Sequence, residues 1–451
     1  MSKNNKIAKI LLAAIVVLTL VITIGIGCKA TTTTTTAAET TTAAETTAVT
    51  TAAATTAAAE KLYAGTTIKF MAVAEPISDT IRNEVIPGFT EQTGIKVEMD
   101  TTDYVKLHDK QVLELSAGNF DVYQVDQMWI TKYTKNGWLE PLDDYIAKFN
   151  IPVDNYYPNL LDIGKVEGKI YTFPLSAIPV NLMYNTDMYA AAGLNAPDTW
   201  DDVLNAAKKL TDKGKDQWGI AIRGERGNPI TWTFLPMLWS FGGDIFDSSM
   251  KPIYNSPEAV KAVEYFKNLN QYSPPGWHSA QDVAGFIQQG KAAQLILMSV
   301  YDASMDDATQ SKVVDKIQFS EMPKGPTGNR ASILGLWTIG IGKSSKNKEA
   351  AALFLSYLTQ FDIAKKMAYA GTVSPTMPKV YAEPDAPKFY PVLGKILNYV
   401  KTPPLIPEAE EWFLSIGTAL QDALSGNKTP QKAMDDSVNE VTKILEDAGY
   451  Y

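Results

Sequence analysis

The first regular pattern of apolar and polar positions begins near Thr66. Thr66-Ile-Lys-Phe-Met-Ala-Val73 has strand character, and Ile95-Lys-Val-Glu-Met99 alternates as a second strand. Between them Ile81, Val85, Ile86 and Phe89 recur at helical spacing over Ile81–Thr93, and Gly94 stands where a helix C-cap belongs. A helix around Lys106–Leu115 leads into a strand at Asp121–Val125. The alternation resumes with a strand at Trp218–Ile222, a helix at Glu258–Asn270, and strands at Ala293–Met298 and Trp337–Ile341. The end of the chain carries helical patterns at Lys348–Thr359, Asp362–Ala370, Phe389–Tyr399, Glu408–Leu424 and Thr429–Ala448. Strands alternating with helices predict an α/β fold on a mostly parallel sheet, with a helical C-terminal tail wrapped around one part of it.

Two stretches upstream carry a different pattern. Met1–Gly27 has Lys3, Lys6 and Lys9, no acidic residue, and an apolar run from Ile10 to Ile26, which reads as a secretory signal. Cys28 follows Gly25-Ile26-Gly27, and the junction resembles a bacterial lipobox, in which the cysteine is lipidated and becomes the new N-terminus; Gly25 replaces the usual leucine. An uncleaved N-terminal anchor is the alternative. Removing the three lysines takes the net charge from -9 to -12. From Thr31 to Glu60 the chain is Thr, Ala, Glu and a single Val49, with nothing large to bury, so residues 28–62 read as a lipidated cysteine and a flexible tether. As coil, about 30 such residues span roughly 30 Å root-mean-square. The chain is expected to be exported and held on the outer face of the cell membrane.

Composition narrows the function classes. A chain of 451 residues, 45% hydrophobic, has enough folded sequence for two domains. No dense basic patch offsets the -9 charge, so nucleic acid is not an expected partner. Two histidines, His108 and His278, and one cysteine leave no disulfide and no zinc cluster; no metal and no cofactor are expected.

Six blocks in order then carry a resemblance. They are Phe89-Thr-Glu-Gln-Thr-Gly-Ile-Lys-Val97 with Ser116–Val122; Gly137-Trp-Leu-Glu-Pro-Leu142; Tyr184-Asn-Thr-Asp-Met188; Pro197-Asp-Thr-Trp-Asp-Asp202; Phe286-Ile-Gln-Gln-Gly-Lys-Ala-Ala293; and Gly340–Ala351 with Phe354-Leu355. Together they resemble the family 1 extracellular solute-binding proteins, the sugar-capturing subunits of ABC importers. The resemblance implies a two-lobed periplasmic-binding-protein fold of class II type, with hinge-crossing strands and a ligand in the interlobe cleft. Carried over block by block, it puts 63–177 plus 299–332 in one lobe and 185–297 plus 338–451 in the other. The hinge segments fall near 178–184, 298 and 333–337. The implied partners are a mono- or oligosaccharide, the transmembrane subunits of an ABC permease, and the bilayer through Cys28. The protein is expected to work as a monomer, and not as an enzyme.

A sugar offers hydroxyls for carboxylates, amides and Arg, and C–H faces for aromatic rings. Glu75 follows the first strand, and Asp126 and Trp129 follow the strand Asp121–Val125, at the edge where open α/β sheets bind ligands. Helix N-capping explains the two carboxylates equally well. Asn181 and Tyr184 fall at the first hinge. Tyr301 stands where the resemblance puts a sugar-stacking Trp, beside Asp302. Trp232 in Asn228-Pro-Ile-Thr-Trp232, Arg223 in a Gly-rich loop, Trp277 in Pro274-Pro-Gly-Trp and Trp337 after Gly335 complete the second set. Trp412 is implied as a further stacking ring, although helical amphipathicity accounts for it too.

Rival readings are a carbohydrate hydrolase or lyase and a binder of a non-sugar such as a polyamine. A glycosidase needs two carboxylates at a set separation, and nothing in the sequence marks such a pair. The acids Glu75, Asp126, Asp244 and Asp302 keep a polyamine site open.

Overall fold

A computed structural model describes residues 62–370 and 374–451. The expected signal, Cys28 and almost all of the expected tether lie outside the described residues.

The strands are β1 (Thr67–Val73), β2 (Lys96–Thr102), β3 (Val122–Asp126), a small hairpin of β4 (Lys165–Val166) and β5 (Lys169–Ile170), β6 (Thr172–Asn185), β7 (Gln294–Met298), β8 (Ile317–Ser320), β9 (Ser332–Ile341) and β10 (Val400–Lys401). All but the hairpin form one sheet in the order β2-β1-β3-β9-β6-β7, with β8 beside β6 and β10 beside β9. β1 runs parallel to β2 and β3, as the alternation predicts. The expected mostly parallel sheet stops there. β9 lies antiparallel between β3 and β6, and β6 is antiparallel to β7 and β8. The physical reason is that β6 and β9 are long strands running in opposite directions through the middle of the molecule, paired from Thr172↔Gly340 to Pro179↔Leu334. Pro174 and Pro179 remove two ladder donors from β6, and the register shifts between Pro174 and Ser176. Two prolines ordinarily argue against a central strand, which is why β6 is not legible as one.

Two other expected elements change. Trp218–Ile222 is no strand; it touches the β7 segment only through isolated pairs, Trp218↔Ala292 and Ala221↔Leu295. The helix expected over Phe389–Tyr399 is confined to Tyr390–Ile396, with Pro391 in its first turn. The other helices fall close to expectation, including Pro257–Asn270, Ala409–Ser425 and Pro430–Asp447.

Two large buried clusters divide the chain. The first gathers Ile68 to Ala177 and then Leu334 to Leu397. The second gathers residues from Val180 to Ile333 and from Ala409 to Leu445, with a smaller cluster that includes Met183, Val283, Met305 and Phe319. This corrects the expected segment assignment. Residues 299–332 were expected with the first lobe, yet Met305, Phe319, Met322 and Ala331 pack with the second and smaller clusters, because β8 pairs with the far half of β6. Residues 338–397 were expected with the second lobe, yet Ile339, Phe354 and Tyr390 pack into the first, because β9 runs alongside β3. The tail is therefore shared between the clusters. The chain changes cluster within β6 between Ala177 and Val180, and within β9 between Ile333 and Leu334. It changes again between Leu397 and Ala409, and not at Met298.

Candidate ligand cleft

Where the strands pass from one cluster to the other, a cleft of about 340 Å³ opens. Glu75, Tyr104, Asp126, Gln127 and Trp337 line one side, Arg223, Asn228, Trp232 and Met298 the other, and Ile178 and Gly335 contribute between them. Each position follows from local structure. Glu75 lies just past the end of β1, and Asp126 ends β3. Trp337 on β9 is the register partner of Asp126. From there its Nε1 donates to Glu75 Oε2 at 3.0 Å. Asp126 also caps the turn that follows it, accepting from Met128 N at 2.9 Å, and it accepts from the Tyr104 hydroxyl at 3.2 Å. N-capping and cleft lining thus coexist in this one carboxylate.

Trp232 projects from the helix Asn228–Ser240. A Cβ at Gly335 would lie 3.2 Å from its Cη2, so the missing side chain on β9 is what lets the ring come down onto the strand. Arg223 Nη1 lies 3.3 Å from Met298 Sδ. Burial lowers the Arg223 pKa, while Glu225 and Tyr301 raise it. Burial pushes Glu75 above its usual range against the Trp337 N–H, and the Asp126 charge adds to the rise. Burial likewise raises Asp126 to about 6, opposed by the Met128 and Tyr104 donors and helped by Glu410. The Asp126 charge, followed by burial, drives the Tyr104 phenol well up.

Of the residues singled out from sequence, Glu75, Asp126, Arg223, Trp232 and Trp337 are brought together in this cleft. Trp129 stands behind it, stacked at 5.9 Å on Tyr104 and edge-on at 6.2 Å to Trp337. Trp277 is 39% exposed, and its ring lies over Gly224. Tyr301 sits half-buried in a short turn after β7, near enough to Arg223 for that charge to act on its phenol, but it does not line the cleft.

Four positions correct the expectation. Asn181 and Asp302 are fully buried and face each other, Asn181 Nδ2 donating to Asp302 Oδ2 at 2.6 Å. Tyr184 is packed at 4.8 Å against Tyr189, because both faces of the central strand β6 are covered. Trp412 is fully buried in the second cluster, on the apolar stripe of its helix. Tyr104, Gln127, Asn228 and Met298 were missed. Tyr104 follows β2 at the same sheet edge that pointed to Glu75 and Asp126, so that rule reaches it; Met298 carries no such signal.

Asp302 makes a stability prediction. Burial raises its carboxyl far above the usual range, against the pull of the Asn181 amide, and its Oδ1 has no partner among the described residues. The folded protein therefore keeps a proton that the unfolded chain gives up, and stability falls as pH rises above the ordinary carboxylate pKa of about 4. Asp302→Asn is expected to be more stable than wild type at neutral pH by about 1–3 kcal/mol, with the gap closing in acid. Urea unfolding at the two pH values checks this; a variant weaker than wild type at neutral pH would refute it.

Among the described residues, no three His, Cys, Asp or Glu side chains are grouped to hold a metal ion, and no helix is long and apolar enough to cross a membrane.

Known proteins share this architecture. The model of the bacterial extracellular solute-binding proteins matches residues 72–360. A probable amino-acid ABC transporter periplasmic-binding protein of Sinorhizobium fredii is 29% identical over 408 residues, 86% of this chain and 92% of the relative. A mannitol-binding protein of Pseudomonas aeruginosa is 26% identical over 364 residues, 74% of this chain and 82% of the relative. A solute-binding protein of Agrobacterium radiobacter, solved in complex with ribitol, superposes with a TM-score of 0.74 at 28% identity, covering 84% of this chain and 99% of the other. The expected α/β architecture and the family expected from the six sequence blocks agree with these matches, and the chain belongs to the bacterial extracellular solute-binding proteins.

Proposed function

We propose that this protein captures a small carbohydrate, a polyol or a monosaccharide, in the cleft between Glu75 and Arg223 and delivers it to an ABC permease. The observation that carries this reading is the pairing of carboxylates and a guanidinium with aromatic rings in one cleft of about 340 Å³. Acids and Arg suit hydroxyls, and Trp232 and Trp337 suit the C–H face of a single unit. Similarity to the mannitol-binding and ribitol-bound proteins supports the polyol class. Binding shifts a population: contacts from both sides of the cleft favour a closed arrangement about β6 and β9, and the permease reads the closed surfaces. Lipidation at Cys28 would keep the exported protein at the membrane. Radiolabelled palmitate that stays out of the wild-type protein would overturn that anchor, and a Cys28→Ser control fixes the background.

A thermal-shift screen of the full chain against polyols, sugars, polyamines and amino acids tests the ligand class. A true ligand at a hundredfold excess over Kd adds about 2.7 kcal/mol of stability. Stabilisation by a polyol or sugar, with no product after long incubation, supports capture. Stabilisation by amino acids alone, the class in the name of the Sinorhizobium fredii relative, would replace the carbohydrate reading. Glycan cleavage would replace the binder.

A further inference from the structure

One side of the cleft carries hydrogen-bond acceptors that meet no positive charge among the described residues. Glu75 takes its hydrogen bond from the neutral indole of Trp337. Asp126 takes its two from a backbone amide and a phenol. Gln127 supplies a third acceptor. It is only 1% exposed and lines the same cleft. Its Nε2 donates to Leu334 O at 2.7 Å, which leaves Oε1 as the free end of the amide, and that buried oxygen has no partner among the described residues.

The cation among the lining residues does not balance these acceptors. Arg223 is placed against Met298 Sδ, and the charges acting on it are those of Glu225 and Tyr301. Glu410 adds further negative potential at Asp126 and Tyr104. Two carboxylates withdrawn from water and repelling each other favour a partner that brings both protons and charge. A hydroxyl donates one hydrogen bond, whereas an ammonium donates three and carries the compensating charge. Tyr104 and Trp337, edge to face at 5.9 Å, line the same side, and aromatic rings attract cations.

Resting on the carbohydrate reading, we propose that the ligand is an aminated polyol or sugar. Its ammonium lies among Glu75, Asp126 and Gln127, and its hydroxyls face Arg223 and Asn228.

Calorimetric titration of the full chain at neutral pH tests this with matched probes: glucamine against sorbitol, glucosamine against glucose, N-acetylglucamine as the neutral amide, and putrescine as an amine without hydroxyls. In at least one pair the amine is expected to bind about tenfold or more tighter than its alcohol, the scale of one charge-assisted hydrogen-bond set. N-acetylglucamine should lose that advantage, and Glu75→Gln and Asp126→Asn should each bring the amine-to-alcohol ratio towards unity. The wild-type comparison stands even if a variant fails to fold. Alcohols that bind as tightly as their amines overturn the amine inference and leave the carbohydrate reading intact. Putrescine binding without any hydroxylated probe, or silence from every probe, overturns both.

Discussion

Trp412→Ala is expected to destabilise the protein by about 3–5 kcal/mol, the usual result of emptying a buried indole site. The side chain is fully buried within the second cluster. Phe246 meets it edge-on at 5.8 Å and Phe413 lies against it with centroids 4.0 Å apart. The helix that carries it, Ala409–Ser425, packs its apolar stripe inward together with Phe413, Ile416 and Leu420. A cavity of that size cannot close without moving two aromatic neighbours, so the loss exceeds the transfer free energy alone. Ligand affinity of the protein that remains folded should be unchanged, because Trp412 does not line the cleft. Urea unfolding paired with titration of the ligand found in the screen decides the matter. Weakened binding at wild-type stability would make Trp412 a ligand ring and displace it from the core assignment.

The opposite pattern is expected for Trp232→Ala: ligand binding weaker by about 2 kcal/mol, roughly thirtyfold, with a much smaller change in the stability of the ligand-free protein. Its ring lies on the cleft surface against Gly335, so truncation removes contact with the ligand more than contact with the core. Gly335→Val provides an independent route to the same loss. A branched side chain on β9 would occupy the space now taken by the indole edge, which already stands 3.2 Å from where a Cβ would be, and would push the ring out of place. If Trp232→Ala binds like wild type, the cleft is not the capture site, whatever the family.

These two tryptophans show why the site was only partly legible in the sequence. Both stand in helices, and both were candidates for a stacking ring. Helical periodicity identifies an apolar stripe but does not say whether the stripe meets a core or a cleft. Glu75 and Asp126 were legible because position at a strand end in an α/β sheet is a topological property that follows from element order, whereas Trp337, which lies inside β9, was reached only through the block around Gly335. Asn181 and Asp302 were misplaced for a related reason. Asn181 falls just past the crossing in β6 and Asp302 lies at no crossing, and their side chains turn towards each other inside the molecule, at a separation of 2.6 Å that no spacing encodes. Gln127 gave no sign of its place, since its importance rests on which end of its amide is occupied by Leu334 O.

The sequence by itself determined the α/β class, the parallel direction of the first three strands, most of the C-terminal helices and the family, because all of these rest on local periodicity or on blocks of contiguous residues. The tertiary structure alone decided that β6 and β9 run antiparallel through the middle of the sheet and that the tail is shared between two clusters. It also decided which aromatic rings line the cleft. Those outcomes depend on pairing between residues far apart in the chain, such as Phe173 with Ile339 and Val122 with Ile341, where the gain comes from burying both partners at once.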